Sequence, residues 1–290
     1  MFVNTMTLVF VLITLAIDLI SIDLERFRKF NWFISLYHLS DRRFMNNKYW
    51  DGNFGLLGLL AIPILSLSLV ILILGYWSTF AEAIFVICIL IYCISPKKLL
   101  SQFDKYIISI EKEEPDAPVL AQQLINKEIT NNSDDVEVAI MKSFFVGAHK
   151  QILAAIFWYL VLGVVGILLY RLVDKLHDEL SNVSSGFSES TSILLNILEW
   201  PSTRVFAIGL ALAGNLVGVI SILKKSDIFS IEANYSLLTD IGIAALQYSP
   251  ELDVTDKEKS YWLNQFKFLV IRTLIIWIVI VAIIILSGIN

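Results

Sequence analysis

The sequence between residues 148 and 177 is AHKQILAAIFWYLVLGVVGILLYRLVDKLH, and its centre, residues 152–170, carries no charged side chain. An α-helix rises about 1.5 Å per residue, so this centre is about 28 Å long, close to the thickness of a bilayer's hydrocarbon core. Gly163 and Gly166 have no side chain beyond a hydrogen atom, so a neighbouring helix can approach closely on the side where they lie. The pattern predicts a transmembrane helix.

The composition extends this prediction to the whole chain. Hydrophobic residues make up 57% and charged residues 17%, with a mean hydropathy of +0.72. Soluble domains are roughly 45–50% apolar and 25% charged, so we predict an all-α, polytopic integral membrane bundle. The net charge is −5 and the basic residues lie outside the apolar runs, which argues against nucleic-acid binding. The two cysteines lie in one apolar run and the three histidines are scattered. We therefore predict no disulfide framework, no metal site and no cofactor.

The apolar runs predict about six transmembrane helices in one membrane domain, residues 1–290. The predicted spans are residues 2–22, 55–76, 80–95, 151–170, 204–223 and 268–287. A signal peptide is the alternative for the first span, but a basic start and a small-residue cleavage site are missing.

Amphipathic surface helices are expected between the spans. Residues 23–44 mix basic and aromatic side chains at helical spacing, typical of a helix in the headgroup region. A soluble helix packed on the loops is the alternative.

Lysine and arginine concentrate in the segments after the first, third and fifth spans. Such segments face the cytoplasm, so we predict a bacterial inner-membrane protein with both termini in the periplasm. Residues 97–147 form the largest hydrophilic segment, predicted as a cytoplasmic loop that contacts a protein partner.

Asp18 is the most suspicious single residue, because it is an acid that the sequence places deep in a span. An acid at a helix centre costs about 2.5–3.5 kcal/mol on insertion scales, so it faces a partner or a wet cavity. Arg272, near the start of the sixth span, is the predicted partner. An acid near the interface, satisfied by a neighbour, is the alternative.

Arg171, Asp174, Glu199 and Arg204 form a second candidate set, at the outer ends of the fourth and fifth spans or on the loop between them. Their alternating charges predict a clamp between two helices or an outward-facing polar pocket. Interfacial snorkelling with local ion pairs is the alternative. No catalytic residue is predicted, because Walker A, GxGxxG, GxSxG and HExxH patterns are missing.

Three stretches together resemble the AmpE family of bacterial inner-membrane proteins. They are AAIFWYLVLGVVGILLYRLVDKL, residues 154–176, LEWPSTRVFAIGLALAGN, residues 198–215, and NYSLLTDIGIAAL, residues 234–246. The resemblance covers most of the chain and is strongest over residues 148–246. The AmpE family is similar in turn to the CobD/CbiB membrane enzymes, which join an aminopropanol unit to the corrin ring of cobalamin in an ATP-dependent step.

Acidic positions of CobD/CbiB are replaced in this chain. A Glu-Asn pair and an Asp before the Phe-Trp pair correspond to about Val146, Gly147 and Lys150 here, and an Asn-Thr-Leu-Asp run corresponds to residues 174–177, Asp-Lys-Leu-His. Carboxylates that hold magnesium and nucleotide are thereby largely lost.

The resemblance therefore implies a non-enzymatic sensor or transducer that modulates β-lactamase induction or cell-envelope (muropeptide) signalling. Its implied partners are membrane lipids and a small cell-wall-derived ligand. A diverged CobD/CbiB-like cobalamin biosynthesis enzyme is the first alternative. A small-molecule membrane carrier is the second, for which Asp18, Asn215 and Arg272 suggest a polar path.

Overall fold

The computed structural model describes residues 5–20, 28–44, 49–125, 133–225, 234–248 and 255–287. These residues are 89% helical and contain no strand, which confirms the all-α prediction. The helices are α1 Thr5–Ile20, α2 Asn31–Phe44, α3 Asn53–Trp77, α4 Thr79–Cys93, α5 Pro96–Glu111, α6 Ala117–Ile125, α7 Ser133–Ala148, α8 Ala154–Leu180, α9 Gly186–Ala213, α10 Leu216–Lys225, α11 Asn234–Leu246 and α12 Asp256–Leu286. A π-helical turn, His149–Leu153, joins α7 to α8.

Five helical segments are long and apolar enough to cross a membrane, which supports the predicted polytopic membrane protein. They are Asn53–Trp77, Thr79–Glu111, Val136–Leu180, Gly186–Ala213 and Asp256–Leu286, and Met6–Ile20 is a shorter apolar helix. Both ends of the predicted first span lie outside the described residues, whereas the predicted sixth span lies within the described residues and is helical up to Leu286.

Two predicted features differ from the structure. Residues 204–223 are not one span, because Gly214 packs on the Ala245 carbonyl and the Asn215 amide donates to that oxygen at 2.7 Å, which ends α9 before α10 begins. Within the hydrophilic segment 97–147, α5 is the helix that the sequence did not predict. Its lysines and acids hid the helical spacing of Leu99, Phe103 and Tyr106 in α5, all of which are buried.

Contacts divide the chain into two compact units. Unit 1 comprises residues 1–95 and 154–199, and unit 2 comprises residues 96–153 and 200–289. The single membrane domain expected from the sequence stays a prediction.

Unit 2 has an aromatic centre. The Phe103 ring stacks on Phe144 with centroids 3.9 Å apart, and Phe145 meets Phe266 edge to face at 5.5 Å. Gly242 of α11 lies against the Phe145 ring, where a Cβ atom would be only 2.3 Å from the ring. The helices of this unit therefore pack closely around fully buried phenylalanines.

Unit 1 is built around α4, which packs against α1, α3 and α8. Ser78 separates α3 from α4 and caps α4, since its hydroxyl accepts a hydrogen bond from the Ala81 amide at 3.4 Å. The α3–α4 pair is therefore the tight helical hairpin that the sequence predicts.

Helix α8 is broken at Gly163, whose φ of 67° and ψ of −152° are not helical. A φ in this range favours glycine, because other residues meet a steric penalty there. Beyond the break, Gly166 lies so close to the Trp158 carbonyl that a Cβ atom would be 2.4 Å from its oxygen. Residues eight apart in a straight helix are about 12 Å apart along the axis, so the two halves of α8 fold back against each other. We call residues 154–180 the Gly163 hairpin.

The second half of the hairpin runs in the same direction as α4. Val164 lines one cavity with Glu82, near the start of α4, whereas the Arg171 Nε donates to the Cys93 carbonyl, at the end of α4, at 2.6 Å. Beyond that point Glu179 pairs with His38 of α2 at 3.1 Å, and the Phe187 amide donates to Asp51 at 2.7 Å. The hairpin therefore returns to the end of unit 1 where α2 lies.

This geometry corrects the sequence-based placement of Arg171 and Asp174. The sequence placed them across the membrane from the end of the third span, but Arg171 contacts that end directly. The prediction was wrong because it treated Gly163 as a packing position in a straight helix. Because Arg171 returns to the end of α4, we expect residues 154–180 to enter and leave the membrane on one side, as a re-entrant segment.

Cysteine labelling tests the hairpin. In a Cys88→Ser background, Ser184→Cys between α8 and α9 should be labelled by an impermeant maleimide from the same side as Ser35→Cys in α2. Ser78→Cys, at the α3–α4 turn, should be labelled from the opposite side. All three serines are exposed, and the remaining Cys93 is buried. Labelling of residues 184 and 78 from one side would show instead that residues 154–180 cross the membrane.

Candidate functional site

Two arginines bind the C-terminal end of α4. The last carbonyl groups of a helix lack partners within the helix, and they carry the negative end of its dipole. The Arg28 Nε donates to the Ile91 carbonyl at 2.7 Å, and its Nη1 donates to the Ser95 hydroxyl at 3.1 Å. The Arg171 Nε donates to the Cys93 carbonyl at 2.6 Å. Both cations therefore satisfy backbone groups where α4 ends.

Each arginine is also paired with an aspartate. The Arg28 Nη2 lies 2.5 Å from an Asp18 carboxylate oxygen, and the Arg171 Nη1 lies 3.4 Å from the Asp174 Oδ2. Asp18 and Asp174 are only 1% and 2% exposed. Burying either charge without a partner would cost several kcal/mol, so each pair depends on both members. We call these four residues the Arg–Asp cluster.

The partner of Asp18 differs from the predicted one. The structure brings Arg28 to Asp18, whereas Arg272 is an exposed residue of α12 in unit 2. The sequence had assigned Arg28 to an interfacial helix, because it follows the first span in a basic and aromatic segment. Residues 21–27, between the two partners, lie outside the described residues.

Glu199 belongs to the same unit as Arg171 and Asp174. It is fully buried, and its carboxylate accepts a hydrogen bond from the Tyr170 hydroxyl at 3.4 Å. The neighbouring Leu198 carbonyl accepts from the Trp158 Nε1 at 3.0 Å. Leu198 and Glu199 of α9 are thus hydrogen-bonded to both halves of the Gly163 hairpin.

Arg204, the fourth member of the predicted set, lies in unit 2 with a different environment. Its guanidinium lies over the Trp200 ring, 5.0 Å from the centroid, and donates to the Asn234 side-chain oxygen. Cation–π contact and a hydrogen bond account for its position in that unit. The predicted four-residue set is therefore divided between the two units.

The residues suggested for a carrier path have other roles. Asp18 is paired with Arg28, and the Asn215 side-chain oxygen accepts from the Val217 and Gly218 amides at 3.0 and 3.2 Å. Asn215 therefore caps the start of α10. Arg272 is exposed.

His149 is a polar residue whose burial the sequence did not reveal. The sequence favours an interfacial position, but the side chain is fully buried in unit 2, where its Nε2 lies 2.9 Å from the Ser202 hydroxyl. The Phe206 ring stacks beside it, with centroids 6.2 Å apart. The π-helical turn that begins at His149 is a local feature that hydropathy does not encode.

Tyr37 of α2 lies near the end of unit 1 to which the hairpin returns. Burial raises the pKa of its hydroxyl, and the nearby carboxylates of Asp41, Asp51 and Glu179 raise this pKa further. The hydroxyl therefore stays protonated near neutral pH and adds no negative charge there.

The CobD/CbiB resemblance implies magnesium and nucleotide, but the described side chains contain no group of three metal ligands. Within these residues, no three His, Cys, Asp or Glu side chains are placed to hold a metal ion. Asp18 and Asp174 are each committed to an arginine. Divalent cations of this kind are held by carboxylates that remain open to the metal.

Replacing one arginine tests how much the Arg–Asp cluster contributes to the stability of the fold. Arg171→Ala leaves the Asp174 carboxylate without its arginine and removes the bond to Cys93, so we expect a loss of about 3–5 kcal/mol in the free energy of unfolding. Thermal unfolding of the purified protein in detergent measures the effect. Lys175→Ala is the matched control, because Lys175 lies 3.5 Å from the same carboxylate but is 37% exposed, and such pairs contribute about 0–1 kcal/mol. Equal losses in the two variants would contradict the role given to Arg171.

Comparison with known proteins places this geometry within a family. The family model described as CobD/Cbib protein matches residues 11–178, more than half of the chain. Comparison with curated proteins gives no match, and neither does comparison with solved structures. The matched region contains the Gly163 hairpin up to residue 178 and all four residues of the Arg–Asp cluster, whereas the AmpE resemblance, strongest over residues 148–246, stays a prediction. The chain belongs to the CobD/Cbib protein family of membrane proteins.

Proposed function

We propose that this protein is a non-enzymatic sensor or transducer of the bacterial inner membrane that modulates β-lactamase induction or muropeptide signalling. The observation that carries the proposal is the pairing of Asp18 and Asp174 with arginines inside the family region. These buried carboxylates hold helix ends together rather than standing open to a metal.

The position of the Arg–Asp cluster supports a role in transmission. Through Arg171 the cluster joins the Gly163 hairpin to the last turn of α4, and through Arg28 it joins Asp18 of α1 to the same turn. The chain continues from this turn directly into the hydrophilic segment 97–147, which we propose as the contact for a cytoplasmic protein. A movement of the hairpin therefore changes the bonds at the end of α4, which precedes that segment.

The cluster has two separable parts, which is what a two-state element requires. The Arg171 Nε bond to the Cys93 carbonyl is 2.6 Å long, whereas the Arg171–Asp174 contact is 3.4 Å. A ligand that favours one position of the hairpin shifts the population of such an element only if it binds the two positions with different affinities.

Gene deletion tests the signalling role. In the bacterium that encodes the protein, we expect deletion to change β-lactamase induction by a cell-wall-active antibiotic, because the transducing element is lost. The wild-type gene should restore induction, and Lys175→Ala should restore it equally. Arg171→Lys keeps a cation but not the guanidinium that reaches both Cys93 and Asp174, so it should restore induction only in part. The measurement is enzyme activity per cell at matched amounts of membrane-inserted protein, and unchanged induction and unchanged envelope-stress sensitivity after deletion would contradict the proposal.

A diverged cobalamin biosynthesis enzyme is the second candidate, favoured by family membership. The experiment that separates the two is rescue of a strain lacking the CobD/CbiB-type synthase, grown under conditions that require cobalamin synthesis. The loss of open carboxylates predicts no rescue. Rescue would replace the signalling proposal with an enzymatic one.

A further inference from the structure

A cavity of about 570 Å³ lies in unit 1 between α1, α3, α4 and the Gly163 hairpin. This volume falls within the range of about 300–1,000 Å³ that is usual for small-molecule sites. Most of its lining residues are apolar, and the polar ones are Thr7, Ser68, Thr79, Glu82 and Tyr159. Such a lining suits a ligand that is mainly hydrocarbon and carries one polar group.

The polar end of the cavity lies near the membrane interface. Thr79 and Glu82 belong to the first turn of α4. Beside them Trp77 and Phe80 are 79% and 75% exposed, and large aromatic side chains of this kind gather where a membrane meets water. The acidic side chain is therefore placed at headgroup depth.

The apex of the hairpin forms part of the cavity wall. Leu162, Gly163 and Val164 line the cavity. Irregular backbone at membrane depth occurs where it is buried in protein or borders a cavity, and discontinuous helices of this type form ligand sites in membrane transporters. The break at Gly163 and the volume of the cavity therefore both indicate a ligand site here.

Glu82 is the one carboxylate in the lining, and its charge is not neutralised within the described residues. It is half-buried, and among these residues it has no hydrogen bond or ion pair to its carboxylate. The carboxylate lies against Gly75 of α3, 3.0 Å from the place of a Cβ atom. By contrast, Asp18 and Asp174 in the same unit each have an arginine. A half-buried anion beside an apolar cavity favours a cation from outside the described chain.

We propose that this cavity binds an amphiphile with an apolar tail and a protonated amine, the ammonium group at Glu82 and the tail along the apolar walls toward Gly163. Both an aminophospholipid and a free long-chain amine have this chemistry. The inference goes beyond the signalling role, because binding here requires only unit 1 and holds whether or not the protein transmits a signal.

The ligand chemistry can be tested on the purified full-length chain in maltoside detergent. Dodecylamine and dodecanol have the same chain and differ in charge, and bound probe is counted by native mass spectrometry. We expect dodecylamine to bind about tenfold more tightly than dodecanol, because its ammonium group donates a charge-assisted hydrogen bond to the Glu82 carboxylate. Equal binding of the two probes would overturn the proposal.

Two variants locate the site. Glu82→Gln keeps the shape of the side chain and removes its charge, so the preference for dodecylamine should disappear while dodecanol binding is unchanged. Glu189→Gln, an exposed carboxylate of the same unit outside this cavity, is the matched control and should keep the preference. A preference that survives Glu82→Gln would overturn the role of Glu82.

Filling the cavity provides an independent check. Ala83→Phe adds a ring to a lining position and should abolish binding of both probes, with folding verified by an unchanged melting profile. Retention of both probes by this folded variant would show that they bind elsewhere and would overturn the site.

The source of the amine is decided by a third probe, a phosphatidylethanolamine with short acyl chains. Binding that depends on Glu82 supports the proposal with a membrane lipid as ligand. Binding of dodecylamine alone supports it with a free amine as ligand. Failure of both amines at this site would overturn it and would leave the gene-deletion result unaffected.

Discussion

Backbone polar groups that leave a helix inside a bilayer need partners within the protein, because hydrocarbon offers none. Two places in unit 1 contain backbone groups of this kind. Where α4 ends, Arg28 and Arg171 donate to the Ile91 and Cys93 carbonyls. Where α8 breaks, at Gly163, the backbone is enclosed by packing against its own first half and borders a cavity. The arrangement of unit 1 follows from how these two sets of groups are satisfied.

The contacts at the end of α4 and the turn at Gly163 depend on each other. Arg171 reaches Cys93 only because the Gly163 hairpin turns back, and a guanidinium at that depth is tolerated only beside an anion such as Asp174. Asp18 has the same relation to Arg28 on the other side of the helix end. The charges that looked like a polar pocket in the sequence are therefore tied to the closing of a helix end, and removing one member exposes the others to an apolar surrounding.

This use of charge bears on how a CobD/Cbib family member can differ from the enzymes of that name. The matched region keeps the apolar helices, but the acids described within its buried part face arginines. Glu82 is the exception, half-buried in the wall of a cavity and without a cation among the described residues.

Hydropathy and charge were enough to predict an all-α membrane protein and its apolar segments. Asp18, Arg171, Asp174 and Glu199, which the sequence singled out, are all buried. These features follow from composition along the chain, because transfer of apolar side chains into lipid and the cost of burying charge are local properties. The helical spacing in α5 was also present in the sequence, but charged neighbours masked it.

Only the tertiary structure decided which charges meet. Arg28 rather than Arg272 pairs with Asp18, Arg204 belongs to a different unit from Arg171, and α8 reverses at Gly163. A glycine in an apolar run is compatible with a straight helix and with a sharp turn, since it pays little steric cost for either conformation. The sequence by itself determined that these helices are buried in a membrane and that their charges need partners. The contact of Arg171 with the end of α4 depended on the backbone conformation at Gly163, because that conformation brings Arg171 within hydrogen-bonding distance of Cys93.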